Sequence, residues 1–347
     1  MMGEFLVRKV AAIGGGVIGS GWVARFLLNG IDTKVYDPAP KTRETVSEML
    51  ANATRAYEKL LPGPLPPRGR LVHASSIDEA VHDAEFIQES VPERLDVKQT
   101  ILAEIDRNAP IDIPICSSTS GLMPSELQKD LTHPERMLVG HPFNPVYLLP
   151  LVEVCGGSRT STQAIERARA FYRAIGMKPL VLRKEIDAFI ADRLLEAYWR
   201  EALWLVHDGI ATVEEIDDAI RYGAGLRWAA MGTFQVYRIA GGDAGMRHFL
   251  SQFGPTLKWP WTKLTDVPEL SDALVERIAE QSDAQADGLS IRDLERKRDD
   301  CLVAILHGLK EQDWGAGATL RDYEGLLADR VRHSGSAAVD GAARTGE

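Results

Sequence analysis

Short apolar runs and amphipathic stretches alternate through the first half of the chain. Val7 to Ile13 is an apolar run that ends in glycines, the pattern of a buried strand. Ser20 to Leu28 has helical spacing, and Thr33 to Tyr36 reads as a second strand that stops at Asp37. The alternation continues with a helix from Pro40 to Leu60, a Pro- and Gly-rich loop from Leu61 to Gly69 and a strand at Leu71–His73. Ser76 with Glu79 forms a capping box for the next helix. Strands follow at Phe86–Glu89, Ile113–Cys116, Met137–Val139, Leu151–Val154 and Pro179–Leu182, with helices at Leu95–Arg107 and Thr162–Ile175. Strand alternating with helix implies an α/β domain of Rossmann type, a mostly parallel sheet covered on both faces.

From Ile186 the pattern changes to helices only. They are expected at Phe189–His207, from the Thr212/Glu215 capping box to Tyr222, and at Phe234–Ile239, Gly245–Phe253, Leu270–Glu280 and Ser290–Lys310. The end of the chain, Val331 to Glu347, is rich in Gly, Ala and Ser and poor in large apolar residues. The expected organisation is an α/β domain over residues 1–185, an all-α C-terminal domain over 186–325 and a disordered tail over 326–347.

Totals narrow the function classes. A length of 347 residues suits two domains with substantial cores. The net charge of −10 argues against nucleic acid or an anionic membrane surface as a partner. Three scattered cysteines form neither a disulfide framework nor a zinc site, so no metal is expected and the reading is cytoplasmic. The first residues lack a signal-peptide pattern, and no apolar run approaches bilayer-spanning length.

The first strand runs into Gly14-Gly15-Gly16-Val17-Ile18-Gly19 and then a helix. Gly14 allows the tight turn, Gly16 lets a pyrophosphate approach the backbone, and Gly19 packs helix on strand. The helix N-terminus offers the phosphates free N–H groups and the positive end of its dipole. Asp37, closing the second strand, is placed to bind ribose hydroxyls and to repel a 2′-phosphate. NAD is therefore the expected cofactor, in preference to NADP.

A second stretch, Gly140 to Val154, carries His141 after one apolar run and Glu153 inside another. A carboxylate in such a run is costly to bury without a partner, and His141 is the nearest candidate. A histidine oriented by a buried carboxylate makes a general base near neutral pH.

The glycine turn, Ser117-Ser118-Thr119-Ser120, His141-Pro142-Phe143-Asn144-Pro145 with Glu153, and Phe189-Ile190-Ala191-Asp192-Arg193 together resemble, in order and spacing, the 3-hydroxyacyl-CoA dehydrogenase superfamily. The resemblance extends from Val7 to Ala240, through words such as FIQESVPERLD, SSTSGLMPSE and GAGLRWAAMGTF. It implies hydride transfer from a secondary alcohol to NAD. His141 would take the hydroxyl proton, Glu153 would fix the imidazole tautomer, and Ser120 would hydrogen-bond the substrate oxygen. Asn144 would lie near the nicotinamide, and Ser90, Glu93, Lys98 and Ser118 would line the cofactor cleft. A homodimer through the helical domain is implied as well.

Two departures from the family pattern bear on the substrate. Asp192 stands where the family has asparagine, and the lysine-rich helical segment of the acyl-CoA enzymes is replaced by Lys59 to Arg68, KLLPGPLPPR. A small substrate without CoA is therefore expected, and the likeness is strongest to the branch that oxidises L-carnitine. A trimethylammonium group is held by aromatic faces and carboxylates. Candidate substrate residues are Ser120, Phe143, Asp192, Arg193, Glu196, Trp199, Trp228 and Phe234, with Tyr198 and Trp204 nearby in sequence. Asp192, Glu196, Trp199 and Leu203 share a helix face by spacing. The alternatives are an L-gulonate dehydrogenase of the lambda-crystallin type, a short-chain 3-hydroxybutyryl-CoA dehydrogenase, and a non-catalytic NAD-binding protein of crystallin type.

Overall fold

The computed structural model describes residues 7–240, 245–253, 260–263, 271–274, 289 and 291–343. The chain divides into two compact units, one formed by residues up to Asp192 together with those from Asp299 onward, the other by Arg193–Arg298.

The first unit is built on one eight-stranded sheet. Its strands are β1 (Lys9–Ile13), β2 (Asp32–Tyr36), β3 (Leu71–His73), β4 (Phe86–Glu89), β5 (Ile115–Ser117), β6 (Met137–Pro142), β7 (Leu151–Gly156) and β8 (Lys178–Val181). The spatial order is β3-β2-β1-β4-β5-β6-β7-β8. The chain winds outward from β1 in one direction to β3, then returns to continue from β4 in the other. That reversal makes the carboxyl ends of β1 and β4 a ligand-binding crevice. Strands β1 to β6 are parallel; β7 runs antiparallel to β6, and β8 is parallel to β7. The Phe143–Pro150 loop between β6 and β7 is too short for a crossover helix, so the chain must return antiparallel.

Helices α1 (Val17–Leu28), α2 (Thr42–Leu60), α3 (Ile77–Val81), α4 (Leu95–Asn108), α5 (Pro124–Leu127) and α6 (Thr162–Ala174) connect the strands. One apolar layer joins Ile13, Ile87 and Ile115 to α3 and α4. Another joins Trp22 and Phe26 of α1 to Phe86 and to Phe171 and Tyr172 of α6. Phe86 and Phe171 are 4.0 Å apart at their centroids. Each such buried ring contributes roughly 2–3 kcal/mol.

The helix expected from Phe189 begins at Ala191 as α7 (Ala191–His207). Ala188 and Phe189 have φ of 58° and 50°, so the chain turns sharply through left-handed conformations before the helix starts. Within the second unit, α8 (Val213–Ala219) carries the expected Thr212/Glu215 capping box. The helix foreseen to Tyr222 instead passes into a distorted turn, Ile220–Ala224, broken at Gly223. Then come α9 (Gly225–Met231), which the sequence pattern did not mark, α10 (Thr233–Ala240) and α11 (Gly245–Phe253). Ala202, Val206, Ile216 and Leu274 form a small core there. The expected helix at Leu270–Glu280 lies outside the described residues except for 271–274.

The C-terminal helices correct the expected organisation. They are α12 (Ile291–Glu311) and α13 (Gly315–Ala343). Val303, Leu306, Leu320, Tyr323 and Leu327 pack on Tyr57 and Leu60 of α2 and on Tyr147, within the first unit rather than the helical one. The boundary at 326, expected to open a disordered tail, falls inside α13. Leu327 is buried, and Arg330 donates to the carbonyls of Asn29 and Ala174. Apolar spacing marks a helix face but not the surface it will cover.

Candidate active site

The glycine turn sits at the carboxyl end of β1. Gly14 has φ of 99°, and a Cβ there would lie 2.5 Å from the Ser90 carbonyl oxygen. A Cβ on Gly19 would meet the Gly14 carbonyl at 1.9 Å, so helix and turn can close only on glycine. Gly16 differs: nothing stands within 4 Å of its would-be Cβ, and it is exposed together with Val17. Gly16 is the N-cap of α1, no side chain caps that end, and the first turn has no acid. An uncapped helix N-terminus behind an open glycine fits a pyrophosphate. Ile18 is half-buried behind it. Asp37 accepts the Gly15 N–H at 2.6 Å and the Ala39 N–H at 2.8 Å, which ties the end of β2 to the turn.

Beside the turn lies a buried polar network. Ser118 Oγ accepts from Trp22 Nε1 at 3.1 Å and from Gln88 Nε2 at 2.8 Å. With both acceptor positions used, its proton goes to Ser90 Oγ at 2.8 Å, and the Ser90 proton is left to point elsewhere. Gln88 also donates to the Gly140 carbonyl and accepts from Tyr172 Oη at 2.7 Å. Burial pushes the Tyr172 phenol well above its ordinary range, so it remains a donor. A Cβ on Gly140 would lie 1.9 Å from Tyr172 Oη, which is why the residue before His141 is glycine. Gln88, Trp22 and Tyr172 were not foreseen as site residues; the available signal was a glutamine inside a central strand.

Glu93 accepts the backbone N–H groups of Ser120 at 3.0 Å and Gly121 at 3.2 Å, together with the Thr119 hydroxyl. It shapes the loop that presents Ser120, whose side chain is exposed. Lys98 is buried: its ammonium meets Glu89 at 2.8 Å, the Val91 carbonyl at 3.0 Å and Glu93 at 3.6 Å. Glu89 also takes the Ser117 hydroxyl at 2.5 Å and the Val91 N–H at 2.6 Å. The Lys98 charge thus answers a buried carboxylate under the loop.

His141 and Glu153 are cross-strand partners in the antiparallel β6–β7 ladder. His141 Nδ1–H donates to Glu153 Oε2 at 3.0 Å, and both residues are buried. Glu153 Oε1 accepts the N–H groups of Ile190 at 2.9 Å and Ala191 at 3.0 Å, where α7 starts. Burial pushes the Glu153 carboxyl up, but the hydrogen bonds from His141, Ala191 and Ile190 outweigh it and hold the group below the usual carboxylate range. Phe143 and Phe189 flank the imidazole, with centroids at 4.9 Å and 5.6 Å. The free edge of the ring, Nε2, faces Asp192 Oδ2 at 3.5 Å.

Asn144 is exposed on the β6–β7 loop. Arg193, Glu196, Trp199, Trp228 and Phe234 belong to the second unit, where all are exposed. Tyr198 is also exposed there, and Trp204 meets the His207 ring edge-on with centroids 5.1 Å apart. Among the described residues no cluster of three or more His, Cys, Asp or Glu could hold a metal ion. Among them, too, no helix is long and apolar enough to cross a membrane.

The family description "3-hydroxyacyl-CoA dehydrogenase, NAD binding domain" matches residues 9–186, and its C-terminal domain counterpart matches 189–280. The chain is 63% identical to L-carnitine dehydrogenase of Mesorhizobium japonicum, over 93% of this chain and 90% of that one. It is 59% identical to L-carnitine dehydrogenase/betainyl-CoA thioesterase of Rhizobium sp, over 94% of this chain but 66% of that longer protein. Among solved structures, an NAD+-dependent dismutase, 5-formyl-3-hydroxy-2-methylpyridine 4-carboxylic acid 5-dehydrogenase, superposes with a TM-score of 0.73. It shares 28% identity, over 88% of this chain and 99% of that one.

Proposed function

The chain belongs to the 3-hydroxyacyl-CoA dehydrogenase family, and on that premise we propose that it oxidises the 3-hydroxyl of L-carnitine to 3-dehydrocarnitine with NAD. The observation that carries the reading is the identity of 63% to an L-carnitine dehydrogenase across nearly the whole of both chains. The site geometry supports the chemistry.

NAD supplies the hydride acceptor when bound. Gly14 to Gly19 would receive its pyrophosphate and Asp37 its ribose. Ser90, Ser118 and Asn144 would line the nicotinamide side, with Glu93 and Lys98 supporting the loop beneath. Glu153 holds the proton of His141 on Nδ1, so Nε2 carries the lone pair and takes the substrate hydroxyl proton. Glu153 then faces the imidazolium that forms. The Phe143 and Phe189 rings keep the imidazole from swinging, and Ser120 offers the substrate oxygen a second partner. The trimethylammonium would meet a carboxylate and aromatic faces.

The test is NADH formation from L-carnitine, L-gulonate and 3-hydroxybutyryl-CoA, each with NAD and with NADP. L-Carnitine with NAD should give the highest kcat/KM; L-gulonate as the best substrate would overturn the reading. His141→Ala should abolish turnover while NAD still binds. We also infer a cytoplasmic homodimer formed through the helical region, supported by exposed Tyr222, Leu226, Phe234 and Trp261 in the second unit. Sedimentation equilibrium showing a monomer would remove that inference.

A further inference from the structure

We propose that Asp192 is the subsite for a substrate cation carried beside the reacting carbinol, and that its charge makes turnover depend on that cation. The inference rests on the reading of L-carnitine as substrate and names the residue that selects it.

Glu153 occupies His141 Nδ1, so the hydroxyl proton has only Nε2 to go to. Asp192 Oδ2 lies 3.5 Å from that same nitrogen. Proton transfer requires the substrate oxygen within about 2.6–3.2 Å of Nε2, and therefore beside the Asp192 carboxylate. In the reaction the O–H bond breaks as the Nε2–H bond forms, and the C–H electron pair leaves as hydride to the oxidised nicotinamide. Negative charge builds on the oxygen in between. A carboxylate at this place opposes that charge, and an uncharged substrate brings nothing to offset it. A quaternary ammonium two bonds from the carbinol carbon brings the offset with it. Having no N–H to donate, such a group is held by charge and by apolar contact; the carboxylate supplies the first, and the half-buried Phe143 ring, which packs edge-on against His141, lies beside the same imidazole.

An acid in the first turn of a helix also favours the helix dipole. That role does not require the carboxylate to face Nε2. The Ile190 and Ala191 N–H groups at this end are already taken by Glu153.

The experiment compares kcat/KM for L-carnitine and for the isostere with tert-butyl in place of trimethylammonium, in the wild type, Asp192→Asn and Asp192→Glu. An ion pair several ångströms apart in a partly screened site is worth roughly 100-fold. The wild type should prefer the cation by about that factor, Asp192→Asn should cut the ratio to within about tenfold, and Asp192→Glu should keep most of it. Fluorescence titration with NAD checks that each variant is folded. An unchanged ratio in folded Asp192→Asn overturns the inference while leaving the carnitine reading intact. A different cationic 3-hydroxy acid, such as 4-amino-3-hydroxybutyrate, as best substrate with the Asp192 dependence preserved would overturn the carnitine reading and support the inference. A wild type that prefers the uncharged isostere overturns both.

Discussion

His141 and Glu153 stand directly opposite one another across the only antiparallel strand pair described in the sheet, with Nδ1 and Oε2 3.0 Å apart. The ladder sets their separation, and the start of α7 holds the second carboxylate oxygen. Under the proposed general-base role of His141, Glu153→Gln keeps the shape but removes the charge that would face the imidazolium. We expect kcat to fall by roughly 100- to 1,000-fold, with the NAD dissociation constant changed less than about twofold. Steady-state NADH formation and fluorescence titration measure the two. A kcat near the wild-type value would show that the carboxylate only fixes packing.

The same carboxylate couples stability to pH. Despite burial, its hydrogen bonds hold it below its ordinary value of 4.5 in the folded chain. A depressed folded-state pKa favours folding wherever the group is ionised in the unfolded chain. The contribution is thus complete above 4.5 and is lost as pH falls through the lower folded value. Urea unfolding of wild type and Glu153→Gln should show a constant stability gap from about pH 7 to pH 5 and a narrowing one below. A gap that widens on acidification would mean that the group is protonated in the folded protein.

The glycines of the turn separate into two kinds. Gly14→Ala meets both a positive φ and the Ser90 carbonyl, and should lower stability by about 2–4 kcal/mol. Gly16→Ala meets nothing in the protein and should change stability by less than about 0.5 kcal/mol. In the proposed cofactor site its methyl group would instead stand where the pyrophosphate approaches, so NAD affinity should fall by about tenfold or more. Chemical denaturation and NAD titration on the pair distinguish a glycine needed by the fold from one needed by the ligand.

Much of this was legible in the chain because it depends on local patterns. The strand, glycine turn and helix around Gly14 to Gly19 are contiguous in sequence, and His141 and Glu153 lie on consecutive strands. What could not be read depends on contacts between distant segments. Nothing in the spacing shows that Lys98 points inward to Glu89, or that Asp192 faces His141 Nε2. The left-handed Ala188 and Phe189 carry side chains that ordinarily avoid that region, so the start of α7 was placed at Phe189. From Asp299 onward the C-terminal helices belong to the first unit, which the sequence does not show because an apolar face does not name the surface it covers.

Lys98, expected to line the cofactor cleft, is buried with its ammonium against Glu89. Replacing it with Met would leave the Glu89 carboxylate buried without its cation. We expect a loss of about 3–5 kcal/mol of stability. NAD affinity of the folded fraction should change much less. If denaturation shows a small loss while the NAD dissociation constant rises strongly, Lys98 serves the cofactor instead.

The placement of α13 makes the last prediction. A chain ending at residue 325 loses buried Leu327, and with it the hydrogen bonds from Arg330 to Asn29 at 2.9 Å and to Ala174 at 2.6 Å. A chain ending at Arg332 keeps all of these. Burial of one leucine and two buried-end hydrogen bonds together amount to about 3–4 kcal/mol. The shorter chain should therefore unfold at lower urea concentration than the longer by that free-energy difference, with little change in slope. Equal midpoints would show that residues beyond 325 add nothing to the first unit, and would restore the boundary read from the sequence.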